Sequence, residues 1–149
     1  MSSLIFLDFD GVLHPQNYLR FAEINGELTL LRDERFCWAP DFLDLIHGFN
    51  CALVIHSSWR TLHTLAQIKG MLPPALAARV QATTGPGERY DSIVSYVEKH
   101  QVADFLILDD AADEFPPGLS NLVICDGRAG VTDLRVRQRV AHFLRQTSP

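Results

Sequence analysis

Four carboxylates in two short clusters could do chemistry in this sequence. Asp8 and Asp10 stand in the run Leu7-Asp8-Phe9-Asp10-Gly11, and Asp109 and Asp110 follow Leu106-Ile107-Leu108 much later in the chain. A carboxylate can attack phosphorus and form a covalent intermediate. A second carboxylate two residues on is placed to give up a proton and later take one back. A single Asp-Gly is ordinarily only a turn. Four like charges gathered at one place differ, because they repel unless a cation neutralises them. All-oxygen ligation by few carboxylates suits Mg2+, which keeps several waters and shares its remaining positions with phosphate. Asp8, Asp10, Asp109 and Asp110 are therefore the expected metal-binding residues, with Asp10 contributing its backbone carbonyl.

Both clusters end continuous apolar runs, at residues 4–7 and 105–108, and two further runs match them. Residues 53–55 end in His56-Ser57-Ser58, and residues 122–125 end in Asp126-Gly127. Runs without alternation fit strands covered on both faces. Between them lie helical spacings: Phe42, Leu45, Ile46 and Phe49 behind Pro40; Leu62, Leu65 and Ile68, stopped by Gly70 and Pro73-Pro74; Ile93, Val94 and Val97; and Val136, Val140, Phe143 and Leu144, with Thr132 as N-cap and Asp133 in the first turn. Alternation of strand and helix predicts a three-layer α/β fold, Rossmann-like, with a mainly parallel sheet. In such sheets ligands bind beyond the carboxyl ends of the strands, where Asp8, Asp10, Ser57, Asp109 and Asp110 all fall. Residues 21–31 break the rhythm with Asn25-Gly26 between apolar stretches, which predicts a small β-hairpin flap. Residues 83–87 read as a connecting loop without chemistry.

A chain of 149 residues, 47% hydrophobic, is the size of one domain with one core, and residues 1–149 are taken as that domain. A net charge of -5 and a pI near 5.6 oppose a broad basic face for duplex nucleic acid. Cys37, Cys51 and Cys125 lie far apart with no CxxC pair, as expected of reduced thiols. The N-terminus lacks the basic start of a signal peptide, and no apolar run approaches the roughly 20 residues of a membrane span. A soluble, cytoplasmic protein without membrane contact is expected.

Asp8-Phe9-Asp10-Gly11-Val12-Leu13 resembles the first motif of the haloacid dehalogenase (HAD) superfamily, DxDGxL after an apolar strand. Ser57 resembles its second motif and Asp109-Asp110 its fourth. More narrowly, LDFDGVLHP, a strand ending in SSWR, a late LDD and a final GVT resemble the HAD-like domains linked to Swiss Army Knife RNA-repair proteins. The resemblance implies a five-strand parallel core with the Asp8 strand at its centre, and a Mg2+-dependent phosphatase that works through an aspartyl-phosphate on Asp8. It implies Asp10 as general acid and base and Ser57 as a donor to a phosphoryl oxygen. The superfamily's third-motif lysine has no counterpart at the expected place. Arg89, opening the helix before the Asp109 strand, is the candidate for that role, whereas Lys99 reads as a surface charge. No insertion is long enough for a large cap domain.

The substrate-binding candidates are Gly11, Ser58, Trp59 and Arg60. Each has a plainer reading: Ser58 as a helix cap, Trp59 as packing at the cleft wall, Arg60 as the partner of a nearby acid. His14 and His56 lack metal-ligand spacing and read as structural. Asp113 completes a DDxxD pattern that could position Arg60, Arg89 or a metal-bound water, and Asp126, Gly127 and Arg128 shape a loop. Two other functions stand beside the general phosphomonoesterase. One is a nucleotide or polynucleotide-end phosphatase, with Arg60, Arg89 and Arg128 on the phosphates and Trp59 stacking on a base. The other is a phosphate-sensing or protein-binding module of low activity.

Overall fold

The computed structural model describes residues 3–147. In chain order these form β1 (Ser3–Leu7), β2 (Leu19–Ile24), β3 (Glu27–Asp33), α1 (Ala39–Ile46), β4 (Cys51–Ile55), α2 (Leu65–Met71), α3 (Pro74–Ala77), β5 (Val80–Thr83), α4 (Arg89–His100), β6 (Phe105–Asp109), β7 (Leu122–Ile124) and α5 (Leu134–Thr147). Five strands make one parallel sheet in the order β5-β4-β1-β6-β7. Every residue of β1 is buried, as a central strand covered on both faces must be. Successive side chains along a strand point to opposite faces. Ile5 and Leu7 accordingly join a cluster with Phe42 of α1, Ile68 of α2, Leu76 of α3 and Val140 of α5. Leu4 and Phe6 pack on the other face with Ile93 of α4. These are the three layers that the alternating pattern predicts, and the sheet order sets the ends of β4, β1 and β6 side by side.

The only addition to this core among the described residues is the β2–β3 hairpin. Asn25 and Gly26 turn it with φ of 53° and 81°, the left-handed pair that a two-residue hairpin loop requires. There is no large cap among the described residues. Phe21, Leu28, Leu30 and Leu31 on the hairpin remain exposed. No helix among the described residues is long and apolar enough to cross a membrane. Cys51 and Cys125 are buried, Cys37 is exposed, and all three are free thiols.

Several local expectations are corrected. The helix read from Leu62 starts at Leu65, because Thr64 and Gln67 close a capping box there, and Leu62 is left 79% exposed. The last helix is capped by Asp133, not by Thr132. Asp133 Oδ1 accepts the Arg135 amide at 2.8 Å, while the Thr132 hydroxyl turns back to Ala129 O at 2.6 Å. Strand β5 carries no clear signal in the sequence, since only Val80 of its four residues is buried. Pro73-Pro74 ends α2 but also opens α3, with Pro74 in a first-turn position where a missing N–H costs nothing.

Candidate active site

Asp8 leaves the end of β1 buried beneath the surface, with its backbone N–H bonded to Leu108 O of β6 at 3.1 Å. That pairing places Asp8 beside Asp109 and Asp110, and one carboxylate oxygen from each lies within 4.8 Å of the others. Arg89, the first residue of α4, reaches into this group from the next layer. Its Nη1 donates to Asp109 Oδ1 at 2.8 Å and Oδ2 at 2.9 Å, and to Asp8 Oδ2 at 3.3 Å. The guanidinium thus stands against the carboxylate of Asp8, where the resemblance leads one to look for a lysine.

One cation between two buried carboxylates cannot fully satisfy both, and their acidities separate. Burial pushes the Asp8 carboxyl well above the usual range, Asp109 pushes it further, and Arg89 offsets only part. Burial acts on Asp109 in the same direction but is outweighed by hydrogen bonds from His56 and the Ala111 amide and by Arg89, so its pKa is lowered. Asp109 is also saturated: Oδ1 accepts from Arg89 and Ala111 N at 2.8 Å each, and Oδ2 accepts from His56 Nε2 at 2.6 Å and from Arg89. Asp110 is different, being partly exposed and bonded among the described residues only by the side-chain amide of Gln16. His56 is fully buried, and burial lowers its pKa despite Asp109. A neutral ring that donates Nε2–H to a carboxylate leaves Nδ1 as a lone pair, and this atom has no partner among the described residues.

Asp10 lies in the turn after β1, where Gly11 takes φ 77°. Phe36 N–H donates to His14 Nδ1 at 3.2 Å, so His14 carries its hydrogen on Nε2 and gives it to Asp10 Oδ1 at 2.7 Å. Trp59 Nε1 donates to the same oxygen at 3.3 Å. Asp10 Oδ2 has no partner among the described residues. A protonated carboxyl keeps one oxygen as acceptor, so both donors remain satisfied whichever charge Asp10 holds. A Cβ at Gly11 would strike the Asp110 carboxylate, and the positive φ adds backbone strain. Gly11→Ala is expected to cost about 1–3 kcal/mol and to displace Asp110. Urea denaturation tests the first part, and an unchanged midpoint would show that the turn tolerates a side chain.

The second-motif segment departs in part from expectation. Ser57 is fully buried and is itself the cap of a short 3-10 helix, Ser58–Thr61, with its Oγ accepting Trp59 N at 3.2 Å; its own O–H remains free to donate. Ser58, read first as the cap, is exposed instead. Four residues of 3-10 helix also offer little dipole to favour an anion after Ser57. Trp59 is 8% exposed and packed by Phe9, His14, Tyr18 and Phe36, so it is a wall that holds Asp10 and has no free face for a base. Arg60 spends its guanidinium on four carbonyls, His56 O at 2.7 Å, Ser57 O at 3.0 Å, Gly87 O at 3.1 Å and Gly85 O at 3.4 Å. It clamps the residue 83–87 loop to the end of β4 and is not positioned as a phosphate ligand. Arg128 is 91% exposed and forked onto Asp126 of its own loop, which it holds down to a pKa of about 2. Asp113 is exposed on the 3-10 turn Ala112–Glu114 and pairs with neither arginine.

His56, His14 and Gln16 are contacts that residue type and spacing did not reveal as part of the site. His14 had a faint signal, four residues after Asp10; Gln16 had none, because its contact with Asp110 depends on how the loop folds. A family profile described as "HAD domain in Swiss Army Knife RNA repair proteins" matches residues 4–136. Neither curated proteins nor solved structures gave a match.

Proposed function

From a chain that belongs to the HAD domain family of Swiss Army Knife RNA repair proteins, we propose a Mg2+-dependent phosphomonoesterase in which Asp8 is the nucleophile. The observation that carries this reading is the Asp8 carboxylate facing Arg89, with Asp110 beside it and Asp10 held two residues on. A buried carboxyl with raised pKa is a poor nucleophile unless positive charge keeps it ionised. Arg89 supplies part of that charge, and the converging carboxylates of Asp8 and Asp110 fit a divalent ion for the rest. Asp8 and Asp110 would hold the ion together with the Asp10 carbonyl, since Asp109 has no oxygen left and instead anchors Arg89. When bound, Mg2+ neutralises charge on the transferring phosphoryl group.

The residues then divide the work. The Asp8 oxygen bonds to phosphorus as the bond to the leaving oxygen breaks, and Asp10 Oδ2 gives its proton to that oxygen. Arg89 and the Ser57 hydroxyl donate to the phosphoryl oxygens. Water next attacks the aspartyl-phosphate, Asp10 takes its proton, and inorganic phosphate leaves with Asp8 restored. His14 and Trp59 fix Asp10 throughout.

Hydrolysis of p-nitrophenyl phosphate should require millimolar Mg2+, cease with a chelator, and be accompanied by a Mg2+-induced rise in melting temperature. No heat of binding and no thermal shift at millimolar Mg2+ would rule out the ion site. Mg2+ and phosphate binding without turnover would favour the phosphate-sensing module.

A further inference from the structure

Next to the site lies a cavity of about 590 Å3 that the reaction above does not use. Gln16, whose side-chain amide bonds Asp110, forms one wall, and Arg20, Arg32, Glu34, Trp38 and Arg128 are among the others. It therefore begins one side chain away from the carboxylates. Its volume is that of an ordinary small-molecule site.

Arg20 and Arg32 differ from the other arginines in and around the site. Arg60 and Arg128 have their guanidiniums engaged by carbonyls and by Asp126, and Arg89 gives Nη1 to Asp8 and Asp109, whereas the side chains of Arg20 and Arg32 make no hydrogen bond among the described residues. They are direct partners across the β2–β3 ladder. Like charges opposite one another destabilise a hairpin. Glu34 relieves this only weakly, at 3.6 Å from Arg20 and 4.0 Å from Arg32, and its Oε1 is buried without a hydrogen bond. Two unspent guanidiniums fit a phosphate, which accepts bidentate donors. Glu34 also lines the cavity, and its carboxylate fits a hydroxyl or amino donor. Trp38 is partly exposed, with an indole N–H that has no partner among the described residues, and it offers a surface for a planar ring.

Resting on the phosphatase reading, we infer that this cavity receives the leaving group, and that the leaving group is a nucleotide unit bearing a second phosphate. Arg20 and Arg32 hold that phosphate, Trp38 meets the base, and Glu34 accepts from the sugar or base. A free nucleoside bisphosphate and a phosphorylated oligonucleotide end share this chemistry.

The test compares kcat/KM in Mg2+ for a terminally phosphorylated oligonucleotide, a nucleoside 3′,5′-bisphosphate and p-nitrophenyl phosphate. At least one nucleotide substrate should exceed p-nitrophenyl phosphate, and the better of the two identifies the source. Arg20→Ala and Arg32→Ala, at positions 60% and 66% exposed where the fold is not at risk, should each lower that preference about ten- to hundredfold. A preference unchanged in both variants, or no preference at all, would overturn the inference. Anisotropy of labelled oligonucleotide and bisphosphate on Asp8→Asn separates the two readings. Binding that needs Arg20 and Arg32, with no substrate turned over by the unsubstituted chain, would sink the phosphatase and keep the cavity. Binding indifferent to both arginines would sink the cavity alone.

Discussion

Asp8→Asn is expected to lose about 10⁴-fold or more of its phosphatase activity and to be more stable than the unsubstituted chain when metal is absent. The first effect follows from removing the nucleophile while keeping its shape. The second follows from the acidity of Asp8. Its folded-state pKa is raised, so its contribution to stability is complete below the unfolded value and is lost as pH rises through the folded value. Raising the pH towards neutrality with Asp8 in place therefore weakens the fold, and a neutral amide relieves it. Thermal melts in chelator should show a higher midpoint for Asp8→Asn at pH 7, with the gap closing towards pH 4. Magnesium should narrow the gap from the other side, by stabilising only the chain that retains the carboxylate. An Asp8→Asn protein with near-normal Mg2+-dependent turnover would end the covalent mechanism, and one less stable at pH 7 would show that the buried carboxylate is not under strain.

Arg89→Ala should be the most damaging single change to the fold around the site. It leaves Asp8 and Asp109, both buried, without the cation they share, and breaking one partner out of a buried ionic group costs about 3–5 kcal/mol. Without Arg89 both carboxyls should shift upward in pKa. Stability of the variant is then retained at low pH and lost as pH rises, so its deficit should widen between about pH 4 and pH 7. Arg89→Lys keeps the charge and installs the residue type of the superfamily's third motif, but it replaces a fork with a point charge. It should recover most of the stability and part of the activity. Urea titrations at several pH values measure the first quantity and kcat the second. An Arg89→Ala protein as stable as the original at pH 7 would mean that the two carboxylates are neutralised by some other group.

Much of this protein is determined by its sequence alone, because the relevant signals are local. Continuous apolar runs bounded by turn residues read as buried strands, and the polar residues that end them fall at the carboxyl ends of a parallel sheet, so Asp8, Ser57, Asp109 and Asp110 are legible as a candidate site before any fold is known. Asn25-Gly26 is equally plain, since few other pairs tolerate two left-handed residues in succession. The tertiary structure alone decides how each side chain spends its hydrogen-bonding capacity, which depends on neighbours far away in sequence. Arg60, four residues from His56, is consumed by carbonyls of the residue 83–87 loop, whereas Arg89, with no motif to recommend it beyond its place before the Asp109 strand, meets Asp8 across a separation of 81 residues. Trp59 reads in the sequence as either a stacking platform or a packed wall, and it is the wall because Phe9, Phe36 and Tyr18 close around it. Asp109 and Asp110 are indistinguishable as adjacent letters. Successive side chains leave a strand in opposite directions, so one turns inward to His56 and Arg89 while the other faces Gly11 and the cleft, and that difference underlies the separate roles proposed for them.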